Sequence, residues 1–340
     1  MKGKGVEKKE VHVGLDIGTR LIKALELSSE NGNPRITQLH FTEIERPAAD
    51  KNIAEALTTL SETFKPATTR VNISLSAPSA IVRFINMPKM KEEDLRNSLQ
   101  FEAEKYIPFN MNEVFTDACI LEAKADEASQ MRVLLAAAKK DVVNARIEML
   151  KQAGFSVAAI DVDSFACFNA FCNSTSVRDE SRSVALLNIG YTRTNVVITR
   201  GNQPFFTRDI QIAAADVVKL ISQAFQTGEA DSDKLIFAPG EKESRVLDAA
   251  RPVLNRLAEE LRLSFGYYEN QYGRSIDEIY LSGGAACVPG LTDFLEENFG
   301  TKPIAWNPFS KFETGPGIDE ELLEEVGPRF GVCAGLAIRK

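Results

Sequence analysis

One pattern occurs twice in this chain and constrains its fold more than any other. It is an apolar strand, a polar turn containing Ile-Gly and a threonine, and a second apolar strand. The first copy, VGLDIGTRLIKALEL, covers residues 13–27, and the second, VALLNIGYTRTNVVIT, covers 184–199. The apolar arms and the short glycine turns make each copy a β-hairpin. A hairpin repeated at the start of each half implies two related lobes. At 340 residues the chain also exceeds what one compact core usually serves.

The rest of the pattern fills in the lobes. After the first hairpin, 35–43 alternates as a third strand. Residues 53–64 have helical spacing, with Ile53, Ala56, Leu57, Leu60 and Phe64 on one face, and 70–75 is a buried strand. A strand at 80–87, a charged helix at 91–105 and strands at 114–122 and 131–138 then form a compact insertion. Its helix offers Leu95, Leu99, Phe101 and Ala103 as contacts, and the polar turn KADEASQ (124–130) separates its last two strands. A helix at 141–153 ends at Gly154, a left-handed cap, before a strand at 156–161 and an apolar helix at 163–172. A polar break at 173–182 leads to the second half. Strands at 183–187, 195–199 and 203–210 are followed by helices at 213–225 and 244–272, a strand at 278–281, and helices at 290–299 and 331–338.

The expected division is therefore a mixed α/β, two-lobed chain. A flexible tail covers 1–11. The first-lobe core is 12–77 with 151–178, and the insertion is 78–150. The second-lobe core is 179–222 with 273–340, and 223–272 forms a small subdomain on it.

Composition excludes several classes. A formal charge of −8 and a pI of about 5.2 argue against a broad nucleic-acid surface. The five cysteines show no Cys-x-x-Cys spacing and only two histidines accompany them, so a structural zinc site is not expected and reduced thiols are. No run approaches the ~18 apolar residues of a membrane span. The basic N-terminus has no apolar stretch of secretory type, so a cytoplasmic location is expected.

Three turns carry chemistry. In the first, Asp16 ends an apolar strand and Ile17, Gly18 and Thr19 follow at once. If Gly18 lets a ligand approach, amides at 18–20 can point at a phosphate while Asp16 faces a hydrated Mg²⁺. Lys23, early on the return strand, reaches the same place. Asp and Gly also suit a hairpin turn for purely geometric reasons. The second turn, with Asn188, Gly190 and Thr192, repeats the context, as expected of two lobes clamping a polyphosphate. The third, Ser282, Gly283, Gly284 and Ala285, follows a strand and precedes the helix at 290, where an adenosine can lie against backbone near a helix N-terminus.

The order of these three turns resembles the phosphate-1, phosphate-2 and adenosine motifs of the actin/Hsp70/sugar-kinase superfamily. More narrowly, the chain resembles the PilM family of type IV pilus assembly, its FtsA-like branch. The stretches SAPSA (76–80), FEAEKYIPF (101–109), QPFFTRDI (203–210) and LSGGAACVPGL (281–291) carry that closer likeness, which runs from about residue 12 to 338. The resemblance implies a two-lobed actin-like ATPase fold with 78–150 as a relocated small subdomain, and ATP or ADP with Mg²⁺ between the lobes. Asp16 would organise the metal through water, and Gly18, Thr19 and Lys23 would contact phosphate. Asn188, Gly190 and Thr192 would close the other side, Gly283 and Gly284 would pack on adenosine, and Glu260 and Arg262 would reach base or ribose. The implied partner is the cytoplasmic N-terminal tail of a PilN-type inner-membrane protein, docked in a groove beside the small subdomain and bordered by strand 80–87 and part of the helix after it. Further pilus ATPase or platform components are implied too, at the inner face of the inner membrane.

One departure narrows this. The second phosphate turn of the superfamily opens with Asp, and here it opens with Asn188. An amide can hold a metal-bound water or donate toward phosphate, but it brings no negative charge and cannot act as a base. Asp161 and Asp163 are the candidate catalytic carboxylates near the inter-lobe strand and helix. They read equally as a strand end and a helix cap. Nucleotide binding with slow or no hydrolysis is expected, and binding alone suffices to bias lobe closure. A small-molecule kinase would need Asp161 or Asp163 as its base beside a substrate pocket. An FtsA-like division protein would end in a linker and amphipathic helix, whereas 331–340 reads as a core helix.

Overall fold

A computed structural model describes residues 10–30, 33–121, 129–175 and 179–339, which build three sheets. Most of the expected N-terminal tail, most of the turn at 124–130 and part of the break at 173–182 lie outside the described residues.

The two larger sheets share one plan. In the first, β1 (Glu10–Ile17), β2 (Leu21–Glu30) and β3 (Asn33–Glu43) form an antiparallel meander. Helix α1 (Asp50–Thr63) leads to β4 (Arg70–Leu75), parallel beside β1. The inserted segment comes next: β5 (Ala80–Pro88), α2 (Glu92–Ala103), β6 (Val114–Ile120) and β7 (Gln130–Lys139). The chain returns through α3 (Lys140–Gln152) to β8 (Ser156–Val162), parallel beside β4, and leaves through α4 (Asp163–Ser174). In the second sheet β9 (Val184–Ile189), β10 (Thr194–Arg200) and β11 (Gln203–Ile210) repeat the meander. Helices α5 (Ala214–Phe225), α6 (Glu229–Phe237) and α7 (Glu243–Tyr272) follow. Then β12 (Glu278–Ser282) lies parallel beside β9. Beyond α8 (Leu291–Phe299), β13 (Ile304–Ala305) pairs parallel with β12, and β14 (Glu313–Thr314) crosses back to pair with β3. The chain closes with α9 (Glu320–Val326) and α10 (Gly331–Ile338). With the inserted β5–β7 and the crossing β14 set aside, each sheet thus runs third, second, first, fourth and fifth strand of its half, which is the duplication that the hairpins announce.

Helix α1 buries Ile53, Ala56, Leu57 and Leu60, the stripe that its spacing predicts, against β1, β2 and β4. Gly154 has the positive φ of +87° expected after α3. In the insertion, α2 covers one face of the sheet with Leu95, Leu99 and Ala103, against Met131, Val133 and Leu135 of β7. Phe101, expected among those contacts, is 74% exposed. Two residues beyond Leu99 it points about 200° around the helix, away from the sheet.

The two crossing helices join the halves. Helix α4 follows β8, yet its Phe168 and Phe171 pack with Val184, Leu186 and Val197 of the second sheet. Helix α10, expected in the second-lobe core, lies instead against β1 and α4. It is held at backbone distance on both sides: a Cβ on Gly14 of β1 would sit 2.3 Å from the Cys333 carbonyl oxygen, and one on Gly335 would sit 1.7 Å from that of Ala166.

Candidate functional site

The first-hairpin turn positions a carboxylate and an ammonium by register. Asp16 and Lys23 are directly opposed on β1 and β2, so their side chains share one sheet face. Lys23 Nζ donates to Asp16 Oδ2 at 2.6 Å, and both side chains are largely buried. The second hairpin repeats the register with Asn188 opposite Asn195, and there the pair is an amide pair, Asn188 Nδ2 donating to Asn195 Oδ1 at 2.9 Å.

The glycines play a more structural part than their sequence context suggests. Gly18 N donates to Leu21 O at 3.1 Å and Gly190 N to Arg193 O at 2.8 Å, closing the two turns identically. A Cβ would lie 2.9 Å from the Leu21 oxygen at Gly18 and 3.0 Å from the Arg193 oxygen at Gly190. These two amides, expected to face phosphate at least at Gly18, are therefore spent on the hairpins. The turn tips do meet: Thr19 Oγ1 lies 3.1 Å from Thr192 Oγ1.

Gly283 has φ +91°, and a Cβ there would lie 2.3 Å from the Ile189 oxygen, so the third turn packs on the second hairpin. At Gly284 a Cβ would meet nothing within 4 Å, leaving open backbone. The helix expected to serve this turn starts only at Leu291, and residues 285–291 do not line the cleft.

Together the three turns wall one cleft, with about 1170 Å³ of empty space including its open mouth. Asp16, Gly18, Thr19, Lys23, Asn188, Gly190, Thr192, Gly283, Gly284 and Asp163 all line it. Asp161 does not: it accepts from the Val162 amide at 2.7 Å and pairs with Arg339. Glu260 and Arg262 are also elsewhere. Glu260 pairs with Arg208 at 2.5 Å, and Arg262 binds Asn298 and lies over the Phe299 ring. They project from α7 toward β11 and α8, away from the cleft, which corrects their expected contact with base or ribose.

Sequence reasoning missed the rim. Arg20 donates to Asp233 at 2.8 Å and to Glu43 at 2.9 Å, and Arg46 donates to Glu229 at 2.9 Å and to the Tyr191 hydroxyl. This ties the first sheet to α6 across the mouth. The exposed rings of Phe41 and Phe237 also line the cleft, with Arg329, whose guanidinium lies 4.4 Å from the Phe237 centroid. No local signal marks these residues, because their partners lie far off in the sequence, and those of Arg20 and Arg46 on α6 and at Tyr191 come from the other half of the chain.

Asp163, the first residue of α4, faces Asp16 and Lys23. Burial first, and the charge of Asp16 second, push its carboxyl up to about 6, against the opposing pulls of a Ser74 hydrogen bond and Lys23. Because this lies above the ordinary 3.8, the folded chain holds the proton more tightly than the unfolded chain between those values. The stabilisation belonging to the protonated form is then lost as pH rises through about 6. Asp163→Asn is expected to be more stable than the parent at about pH 7.5, with the advantage shrinking as the pH falls from about 6 toward 4. Melting temperatures across that range check it; an advantage of constant size would contradict the burial of a charged form.

A second, larger groove, about 1820 Å³ of empty space, lies between β6 and β8. Each is the edge strand of its sheet. Phe115, Cys119, Leu134, Val143, Phe165 and Phe168 line it. Residues of β7 alternate, with Val133 and Leu135 under α2 and Leu134 and Ala136 facing the groove. Helix α2 therefore lies on the opposite face, and of β5 only Ala80 contributes to this groove.

The duplicated sheets with crossing helices and an inter-lobe cleft define an actin-like ATPase fold. The same fold is seen in the ethanolamine utilization protein EutJ from Carboxydothermus hydrogenoformans (11% identity, TM-score 0.55, covering 97% of this chain and 89% of that one). It is also seen in MreB5 of Spiroplasma citri bound to AMPPNP (10% identity, TM-score 0.51, 96% and 94%). The family model for type IV pilus assembly protein PilM matches residues 14–340, and the chain belongs to that family. A solved PilM-PilN type IV pilus biogenesis complex is similar at 29% identity and TM-score 0.85, over 96% of this chain and 98% of that one.

Proposed function

We propose that this chain is a nucleotide-binding adaptor of pilus assembly, which holds Mg·ATP or Mg·ADP in the cleft and docks the cytoplasmic N-terminal tail of a PilN-type inner-membrane protein in the groove between β6 and β8. The observation that carries the nucleotide half is the convergence of both hairpin turns and the Gly283–Gly284 turn on one cleft. The residues present fit such a ligand. A carboxylate and an ammonium sit at the cleft floor, and Gly284 offers bare backbone. Exposed aromatic rings stand where a base can stack, and the buried Arg329 Nε has no hydrogen-bond partner. In this reading Lys23 binds phosphate, and Thr19 and Thr192 approach it from two sides. Asp16 and Asn188 take the water shell of the magnesium, while Gly18 and Gly190 act by letting the turns close.

Among the described residues no three His, Cys, Asp or Glu converge to hold a metal alone. That suits Mg²⁺, which typically rests on one or two carboxylates together with phosphate oxygens. When bound, the metal would neutralise phosphate charge. Asn188 supplies no charge of its own, and Asp163 is the one predicted catalytic carboxylate in the cleft, so turnover is slow in this reading.

The partner half rests on the similar PilM-PilN complex and on the groove itself. Two strand edges, unpaired among the described residues, and an apolar floor suit an extended peptide that adds main-chain bonds and anchors a few apolar side chains. Among the described residues no helix is long and apolar enough to cross a membrane. The proposal puts the chain at the cytoplasmic face of the inner membrane through its partner.

Calorimetric titration with Mg·ATP and Mg·ADP, with and without a PilN-tail peptide, tests both halves. Saturable nucleotide binding, with peptide affinity differing between nucleotide states, is expected. No nucleotide binding removes the first half, and nucleotide binding without any peptide binding removes the second. Rapid phosphate transfer to a sugar or polyol would instead make Asp163 a kinase base.

A further inference from the structure

Three strands place three polar side chains in a row behind the second phosphate turn. Asn188 on β9 is opposite Asn195 on β10, which is opposite Asp209 on β11. Asn188 Nδ2 donates to Asn195 Oδ1 at 2.9 Å, and Asn195 Nδ2 donates to Asp209 Oδ1 at 2.6 Å. The other carboxylate oxygen, Oδ2, accepts from the Ala77 amide at 3.2 Å.

We propose that Asp209 is the positioning residue of the nucleotide site: through Asn195 it fixes which way the Asn188 amide faces, presenting the Asn188 carbonyl oxygen to the cleft. This rests on the nucleotide reading above and names the atom involved.

The argument is one of direction. A carboxylate only accepts hydrogen bonds. Asn195 must therefore turn its NH₂ toward Asp209 and its oxygen toward Asn188. Asn188 must in turn give its NH₂ to Asn195, which leaves Oδ1 on the other side, where it accepts from the buried Ser282 hydroxyl at 3.4 Å and keeps a second lone pair. Asn195 is almost fully buried, so it has little freedom to find another partner. The Ala77 amide holds the carboxylate itself in place. An amide at 188 is open to two roles, donor to phosphate or acceptor for a metal-bound water, and the relay selects the acceptor. The first hairpin needs no such device, because Asp16 accepts whichever way it turns. The negative charge absent at 188 is thus displaced two strands outward, to 209.

The test compares ATP affinity with Mg²⁺ and with EDTA, in the parent chain and in Asp209→Asn. The parent is expected to bind Mg·ATP more tightly than free ATP. Asp209→Asn should reduce that ratio by about 10-fold, the scale of an outer-shell contact to a metal ligand, while leaving Mg-free affinity in place. A merely structural role would weaken both alike. Asn188→Asp, whose carboxylate needs no orienting, should restore the ratio in the Asp209→Asn background. In nucleotide-free protein, the Asn188 side-chain amide resonances should also shift in Asp209→Asn and not in Asn202→Asp, a change at the far end of the β10–β11 hairpin, outside the relay. A parent chain that binds no nucleotide overturns the cleft reading and this inference together. Normal parent binding with an unchanged Mg ratio in Asp209→Asn, or unmoved Asn188 resonances, overturns the inference alone.

Discussion

Replacing Asp16 with alanine is expected to lower the free energy of unfolding by about 3 kcal/mol, the low end for breaking a buried ion pair, because cleft water reaches this one. The physical cause is the ammonium left behind. Lys23 lies 2.6 Å from Asp16, its side chain is only 14% exposed, and the register of the hairpin holds it there. Removing both charges removes that penalty, so Asp16→Ala combined with Lys23→Met should recover most of the loss. Urea unfolding of the two single variants and the double variant measures this coupling. Nucleotide binding should not recover with stability, since the double variant still lacks both groups proposed to meet Mg²⁺ and phosphate. A stable double variant with parent-like ATP affinity would show that the pair only supports the hairpin. An Asp16→Ala loss below about 1 kcal/mol would show the pair to be no stronger than a surface one.

The parts of this molecule that were legible in advance are those whose signal is local. The strands at 70–75 and 203–210 and the helix at 331–338 match the structure to the residue, because what sets them apart lies in their own residues and immediate neighbours. The cleft hairpins were legible for the same reason: Asp16 and Lys23, or Asn188 and Asn195, meet through a turn of a few residues. Helix α6 was not expected, because EADSDKLIF has no continuous apolar stripe and is held through Ile236 and the rim ion pairs of Asp233. Helix α9 had a signal that went unread: Asp319 caps it, accepting from the amides of Glu321 and Leu322, and an acidic first turn follows. The Arg20 and Arg46 rim contacts and the Asn188–Asn195–Asp209 relay depend on strand order and on elements from the other half of the chain. Nothing at those positions distinguishes an arginine bound for the cleft from one bound for solvent. Glu260 and Arg262 show the converse, charged helix residues that looked apt for a ligand and serve contacts with β11 and α8 instead.

Gly335→Ala is expected to cost roughly 3 kcal/mol or more, against the usual sign for this substitution. In a solvent-facing helix, alanine in place of glycine gains about 1 kcal/mol through backbone entropy. At Gly335 the new methyl carbon would sit 1.7 Å from the carbonyl oxygen of Ala166 and 2.3 Å from its carbonyl carbon. The obstacle is backbone in α4, so no change of rotamer relieves it, and α10 must move. It cannot retreat toward β1, where Gly14 already lets the Cys333 and Ala337 backbone approach without room for a Cβ. Gly266→Ala on α7, where a Cβ meets nothing within 4 Å, supplies the contrast and should be neutral or slightly stabilising. Thermal unfolding of the two variants therefore reads the crossing directly: opposite signs support it, and a harmless Gly335→Ala would mean the helices tolerate separation. Because Val332 of α10 and Asp163 of α4 both line the cleft, the displaced helix should also loosen nucleotide binding. The same glycine contact then sets both how the halves are joined and how the cleft between them is shaped.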